Sequence, residues 1–259
     1  MTEDALTPEQ EHAEKIAKDY EHEVEAALLA VLLWLRSSIT IYVWWSSPTW
    51  AEFEDRARAA INPVFNAGDE AGKFVWLGYD SLDPATVNAQ RDYQDKFVKE
   101  FSDSTKRAIS NVVSWGSVNG VTGDSMERLL AYVAGLNSNQ VGSVLSDWLV
   151  MQESGATAKA LNKMLTDATK KALSDRSKTI AGDALWSGIQ LGQVSAGDQE
   201  QRATNAAVTK EWRTAMDERV CGVCGPLHRV AMPISEEFKG GFKAPPAHSN
   251  CRCFLRIST

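Results

Sequence analysis

The sequence predicts an α+β chain that is mostly helical over residues 1–200 and ends, over residues 205–259, in a small β-rich module stapled by cysteines. Three observations carry that expectation. Apolar residues in the first 200 positions recur at helical spacing, between residues that start and stop helices. From Ala206 the texture changes to loose alternation, and Pro, Gly and Cys become frequent after Cys221. All four cysteines lie between Cys221 and Cys253. The length suits one large domain or two small ones.

Thr7-Pro8-Glu9-Gln10 is the first start signal, with Thr7 as a cap and Pro8 in the first turn. The helix it opens is expected to run to about Trp45. Residues 1–25 hold nine acids and two bases, so the net charge of −7 resides there and the remaining 25 bases and 25 acids cancel. Such a segment reads either as a solvated helix face or as an acidic dock for a basic partner. It does not read as a secretory signal.

The second half of that helix, Ala26–Trp45, is long enough to span a bilayer. Arg36 at its middle costs roughly 2.5–3.5 kcal/mol there, and Ser37, Ser38 and Thr40 add polarity. A helix buried in the core or in an oligomer is the favoured reading, and no membrane is expected as a partner. Trp34, Trp44, Trp45 and Trp50 gather near its end, as core or as interface anchors.

Ser47-Pro48-Thr49 restarts the chain, with Thr49 and Glu52 at capping-box spacing. Asp83-Pro84 opens a long helix that Gly116–Gly123 breaks. Asp124 with Glu127 begins a helix toward Val133, and further helices fit Gln140–Met151 and Thr157–Gln193. The turn-rich Ser195–Asp198 is a candidate hinge between body and module, with continuation of the long helix past it as the alternative. No internal repeat or low-complexity segment is present.

The cysteines read C-x-x-C, then 23 residues, then H-x-x-C-x-C. A C-x-x-C turn aims two sulfurs at one point, and Gly222 and Gly225 are expected to ease it by taking positive φ. His248 and Cys251 converge from a second turn. Cys221, Cys224, His248 and Cys251 therefore form the predicted tetrahedral set of a structural zinc, with Cys253 as the alternative ligand. An all-cysteine shell, with His248 outside it, also fits. Two disulfides and free thiols are the rivals. Four protein ligands leave no position for water, so such a metal would fold the module and not catalyse.

The stretches EWRTAMDERVCGVCGPLHR and APPAHSNCRC resemble the C-terminal module of the phage Mu F-like head morphogenesis family, the minor head proteins of tailed phages. There, a W-x-x-x-x-D segment (Trp212 and Asp217 here) leads into C-x-x-C, and P-P-x-H-x-N-C-R-C (Pro245–Cys253) follows a variable loop. The helix before the module, Arg176–Gln193, sits where the family carries an Arg-Thr-Glu signature but has Ala181-Gly182-Asp183 instead. The resemblance implies a non-enzymatic virion protein, made in the host cytoplasm and incorporated into the phage head. Its implied partners are portal or capsid proteins, in some cases the packaged DNA.

Two other readings come from the residues. Lys210, Arg213, Arg219, Arg229, Lys239, Lys243, Arg252 and Arg256 face five acids in the module, a modest excess for a phosphate-facing surface. Arg252 is alternatively a donor to backbone carbonyls. Asp217, Glu218, His228, His248 and Asn250 suggest a zinc-supported nuclease, but His228 is the only histidine near the module outside the ligand set, and Asp217 and Asn250 suit turns.

Overall fold

A computed structural model describes residues 8–40, 46–121, 123–215 and 217–259. Among these, the helices are α1 (Pro8–Ser38), α2 (Ser47–Ala60), α3 (Asn62–Val75), α4 (Pro84–Val118), α5 (Asp124–Val133), α6 (Ser138–Glu153) and α7 (Ala158–Thr204). The strands are β1 (Thr209–Arg213), β2 (Ala231–Pro233) and β3 (Phe254–Ser258).

The helix α1 buries Ala13, Ile16, Val24, Leu28, Val31, Leu32 and Leu35, and Ile39 just beyond its end is buried too. This spacing defines one face, so the apolar stretch serves the chain's own core. Leu33 remains 48% exposed on another side. Arg36 fits within this helix because its Nε donates to Ala131 O at 2.7 Å and its guanidinium stands 5.6 Å from the Tyr132 ring centre. Ala131 lies in the last turn of α5, where carbonyls lack intrahelical partners and the helix end is negative. The helix ends at Ser38, earlier than expected, while the Thr7 cap and Trp44 and Trp45 lie outside the described residues. No described helix is long and apolar enough to cross a membrane.

Helix starts follow local chemistry, with three corrections. Thr49 is not a cap, because α2 begins at Ser47 and places Thr49 inside its first turn. A separate helix, α3, restarts at Asn62-Pro63, where proline's missing N–H suits a first turn. The Asn137 side chain and Gln140 form a capping box, so α6 starts at Ser138. Asp83 behaves as expected: its Oδ1 accepts from the N–H groups of Ala85 and Thr86 at the start of α4. Ser195–Asp198 is not a hinge, since α7 continues through it.

The chain packs into two compact units, with boundaries inside α1, α4 and α7 and one between α2 and α3. One consists of Glu25–Ala60 and Asp95–Lys178. Its most buried charge is Arg176, 4% exposed, which donates to Gly135 O at 2.5 Å and to the Ser104 and Thr105 hydroxyls at 2.9 Å each. Both hydroxyls pass their own protons to Phe101 O, and the Phe101 ring centre lies 5.1 Å from the guanidinium.

The other unit combines the N-terminal segment through Val24 with Ile61–Gln94 and Thr179–Thr259. In it α3 and α7 touch backbone to backbone: a Cβ on Gly192 would lie 1.8 Å from Gly68 O. The sheet order is β2-β1-β3, antiparallel throughout, with Trp212 opposite Leu255 and Lys210 opposite both Met232 and Ile257. Trp212 is fully buried and meets the Phe238 ring edge-on at 5.2 Å. Leu227, Phe238, Leu255 and three of the cysteines complete this small core.

Candidate metal centre

The two halves of the cysteine pattern meet. A helical turn carries the first half, with Gly225 N bonded to Cys221 O at 2.9 Å and Gly225–Leu227 continuing as a 3-10 turn. Neither Gly222 nor Gly225 takes positive φ, contrary to expectation, because a right-handed turn does not require it. The second half is a turn closed by Cys251 N to His248 O at 3.2 Å. Asn250 holds its left-handed position, at φ 57°, which asparagine tolerates.

Two groups of donors result, Cys221–Cys224–His248 and Cys224–Cys251–Cys253, each with its atoms within 4.8 Å of one another. They share Cys224. The His248 Nε2 lies 3.1 Å from Cys221 Sγ and 3.3 Å from Cys224 Sγ, and Cys224 Sγ lies 3.8 Å from Cys251 Sγ. The exposed end of the cluster is His248, with Cys221 half-buried, while Cys224, Cys251 and Cys253 are buried. All four thiols are free.

Electrostatics grade the thiols. The Cys224 N–H, 3.3 Å from Cys221 Sγ, draws the Cys221 thiol down to about 7. Burial pushes Cys224 up to about 12. A hydrogen bond from Cys253 lowers Cys251 to about 5, and the same bond raises Cys253. The Trp212 Nε1–H, buried without a well-aligned acceptor, lies against the Cys253 sulfur and favours its thiolate. The His248 Nδ1, 2.9 Å from Ser249 O, donates to that carbonyl, which raises the imidazole's pKa. This tautomer leaves the Nε2 lone pair facing two sulfurs. Thiolates and a neutral imidazole converging in this way could hold a metal ion of the soft or borderline class.

The segment bearing Cys251 and Cys253 hangs from one face of α7. Asp183 Oδ1 accepts from Asn250 N at 2.8 Å, and Oδ2 accepts from Ser249 Oγ. Trp186 Nε1 donates to Cys253 O at 2.5 Å, and Gln190 Oε1 accepts from Leu255 N at 2.9 Å. Positions 183, 186 and 190 share a helical face. The last two contacts satisfy backbone groups of β3 (Leu255 N) and of the residue just before it (Cys253 O), on the side away from β1, so the helix covers a sheet edge.

Sequence reasoning did not find this role for Asp183. The i, i+3, i+7 spacing of Asp183, Trp186 and Gln190 was the available signal.

Other candidate residues are occupied elsewhere. Among the described residues Arg252 bonds a carboxylate and not backbone carbonyls: its guanidinium makes a two-pronged contact with Asp217, which holds that carboxyl down at about 2. Asp217 also caps a turn by accepting from Arg219 N. His228 Nδ1 accepts the Thr214 N–H at 3.2 Å, and burial lowers its pKa. Lys210 is 1% exposed and donates to Lys243 O, while Arg213 pairs with Glu211. The basic excess on the module's surface is thus smaller than the sequence count.

No curated protein and no solved structure matches the chain. A family model does match, over a range that includes all of α7 and nearly all of the module. Over residues 148–256, its C-terminal part, this chain matches the family described as phage Mu protein F like protein.

Proposed function

We propose that the chain is a structural protein of a phage head that acts during head assembly, with its C-terminal module folded around one zinc ion. The single observation that carries the phage reading is the family match over residues 148–256, which suggests head morphogenesis and capsid-related partners. Portal contact and incorporation into the virion follow from the same reading. The exposed Leu33 and the exposed acids Glu11, Asp19, Glu21 and Glu23 of α1 are available to such a partner.

The donor chemistry supports the zinc. A tetrahedral zinc with Zn–S near 2.3 Å and Zn–N near 2.0 Å sets its ligand atoms about 3.5–3.8 Å apart; three donor pairs here lie at 3.1, 3.3 and 3.8 Å, and the two donor groups, which share Cys224, would draw together on the ion. Cys221, Cys224, His248 and Cys251 would hold the ion, with Cys253 supporting Cys251 by hydrogen bond or replacing a ligand. The ion supplies cross-linking between two turns, not an open catalytic position.

The experiment is mass spectrometry and reconstruction of purified heads, with metal analysis of the chain prepared under reducing conditions. The chain should be present in heads at low copy and carry about one zinc. Heads of normal composition that lack the chain would overturn the assembly reading, and metal-free protein with two disulfides would overturn the zinc.

A further inference from the structure

We propose that Asp183 of α7 is a positioning residue for the metal centre, setting how tightly the ion is held by fixing the turn that carries His248 and Cys251. The inference rests on the reading that the cysteine cluster holds a metal.

Asp183 spans the turn between those two ligands. One carboxylate oxygen takes the Ser249 hydroxyl and the other takes the Asn250 N–H at 2.8 Å. Ser249 in turn uses its carbonyl to accept from His248 Nδ1 at 2.9 Å. The side chain of Asp183 therefore orients the residue that fixes the histidine's tautomer and ring. Asn250, the second residue held, directly precedes Cys251 and sits at left-handed φ. Without an acceptor at Asp183 the Asn250 N–H turns to water, and the spacing between His248 Nε2 and Cys251 Sγ is no longer set by the helix.

Groups that orient metal ligands from outside the coordination shell typically change metal affinity 10–100-fold when removed. The direct form of this support is a carboxylate bonded to the imidazole itself. Here it acts one residue further out, through a serine and a backbone amide. The Trp186 contact to Cys253 O, from the next turn of the same face, anchors the other end of the ligand-bearing segment.

The test uses the full-length chain, with zinc titrated against a chromophoric chelator and absorption spectra recorded after cobalt substitution. Asp183→Ala should bind zinc about 10–100-fold more weakly, release it faster to chelator, and show an altered cobalt spectrum. Asp183→Asn keeps an oxygen acceptor for the Asn250 N–H and should lose clearly less. Wild-type affinity and an unchanged cobalt spectrum in Asp183→Ala overturn the proposal while leaving the zinc reading intact. Should Asp183→Ala fold too poorly to titrate, Ser249→Ala decides instead: it removes only the hydroxyl that Asp183 holds, and unchanged zinc affinity overturns the proposal. A wild-type chain that retains no zinc removes the metal reading and this inference with it.

Discussion

Arg176 in one unit and Cys224 in the other are 4% and 2% exposed, yet they are surrounded in opposite ways. The guanidinium meets a carbonyl, two hydroxyls and an aromatic face, and each hydroxyl has its own proton placed on Phe101 O. None of its described partners is a carboxylate, and burial alone draws its pKa down to about 10. The site is satisfied by the protein. Cys224 is surrounded by an imidazole and other thiols, groups that offer lone pairs and compete for protons. Buried polar groups are ordinarily matched donor to acceptor. Arg176 obeys that rule internally, while the module gathers a surplus of acceptors that a cation would complete. On the proposed metal reading, the difference locates stability: helix packing in one case, a guest ion in the other.

Removing the ion should separate the two regions most sharply. Structural zinc contributes roughly 10–16 kcal/mol of apparent binding energy in small peptides, far more than a core of this size supplies. Cys224→Ser, or chelation under reducing conditions, should expose Trp212 and open residues 205–259 to protease. Hydrogen exchange in Asp95–Lys178 should stay as in the untreated chain. Retained Trp212 burial after complete chelation would show that the module's core suffices alone.

Arg176→Ala should act in the reverse direction. It strands Gly135 O, leaves two hydroxyls short of a donor and opens a cavity, a loss of about 3–5 kcal/mol. Urea unfolding followed by far-ultraviolet circular dichroism reads this, and zinc affinity should not change. A matched loss of zinc binding would mean that the two regions are not energetically separate.

Legibility in the sequence followed the range of the interactions. The cysteine spacing was readable because C-x-x-C and H-x-x-C-x-C each encode a local turn, and the convergence of two such turns is what four ligands require. The helical body was readable from apolar periodicity, and Asp83-Pro84 from capping. Arg36 looked anomalous because Ala131, its acceptor, lies 95 residues away. Arg252 was misread because Asp217 lies 35 residues before it. Asp183 read as a departure from a family signature, and its partners are 66 and 67 residues on. The restart at Asn62-Pro63 was local and available. The glycines of the C-x-x-C turn misled because composition indicates permissible backbone, not the backbone used.

A third prediction concerns pH. Burial holds the Lys210 amine down at about 8, against an ordinary 10.5, with the Lys243 charge a lesser cause. Below pH 8 folded and unfolded chains both carry that proton, so the cost of burying the charge is present in full. Between about pH 8 and 10.5 the unfolded lysine keeps its proton and the folded one sheds it. Stability should therefore rise with pH across that window, by at most about 3 kcal/mol. Lys210→Met should remove the rise in the zinc-loaded chain, measured by denaturant unfolding at several pH values. An identical slope in the variant would assign the effect to another group.

The smallest effect is expected within the C-x-x-C turn itself. Gly222 lies between two candidate-ligand positions, where any substitution invites the expectation of lost metal. A Cβ at Gly222 meets nothing within 4 Å, and its φ is not in the left-handed region. Gly222→Ala should shift stability by no more than about 0.5 kcal/mol, with zinc affinity unchanged. Gly241 offers the contrast within the same module: its φ of 79° makes alanine cost about 1–2 kcal/mol although it touches no sulfur. Thermal melts of the two variants under matched zinc should then rank them opposite to their distance from the metal. If Gly222→Ala proves the more damaging, the turn needs backbone freedom that a right-handed geometry does not, and the ligand-bearing loop must rearrange when the ion binds.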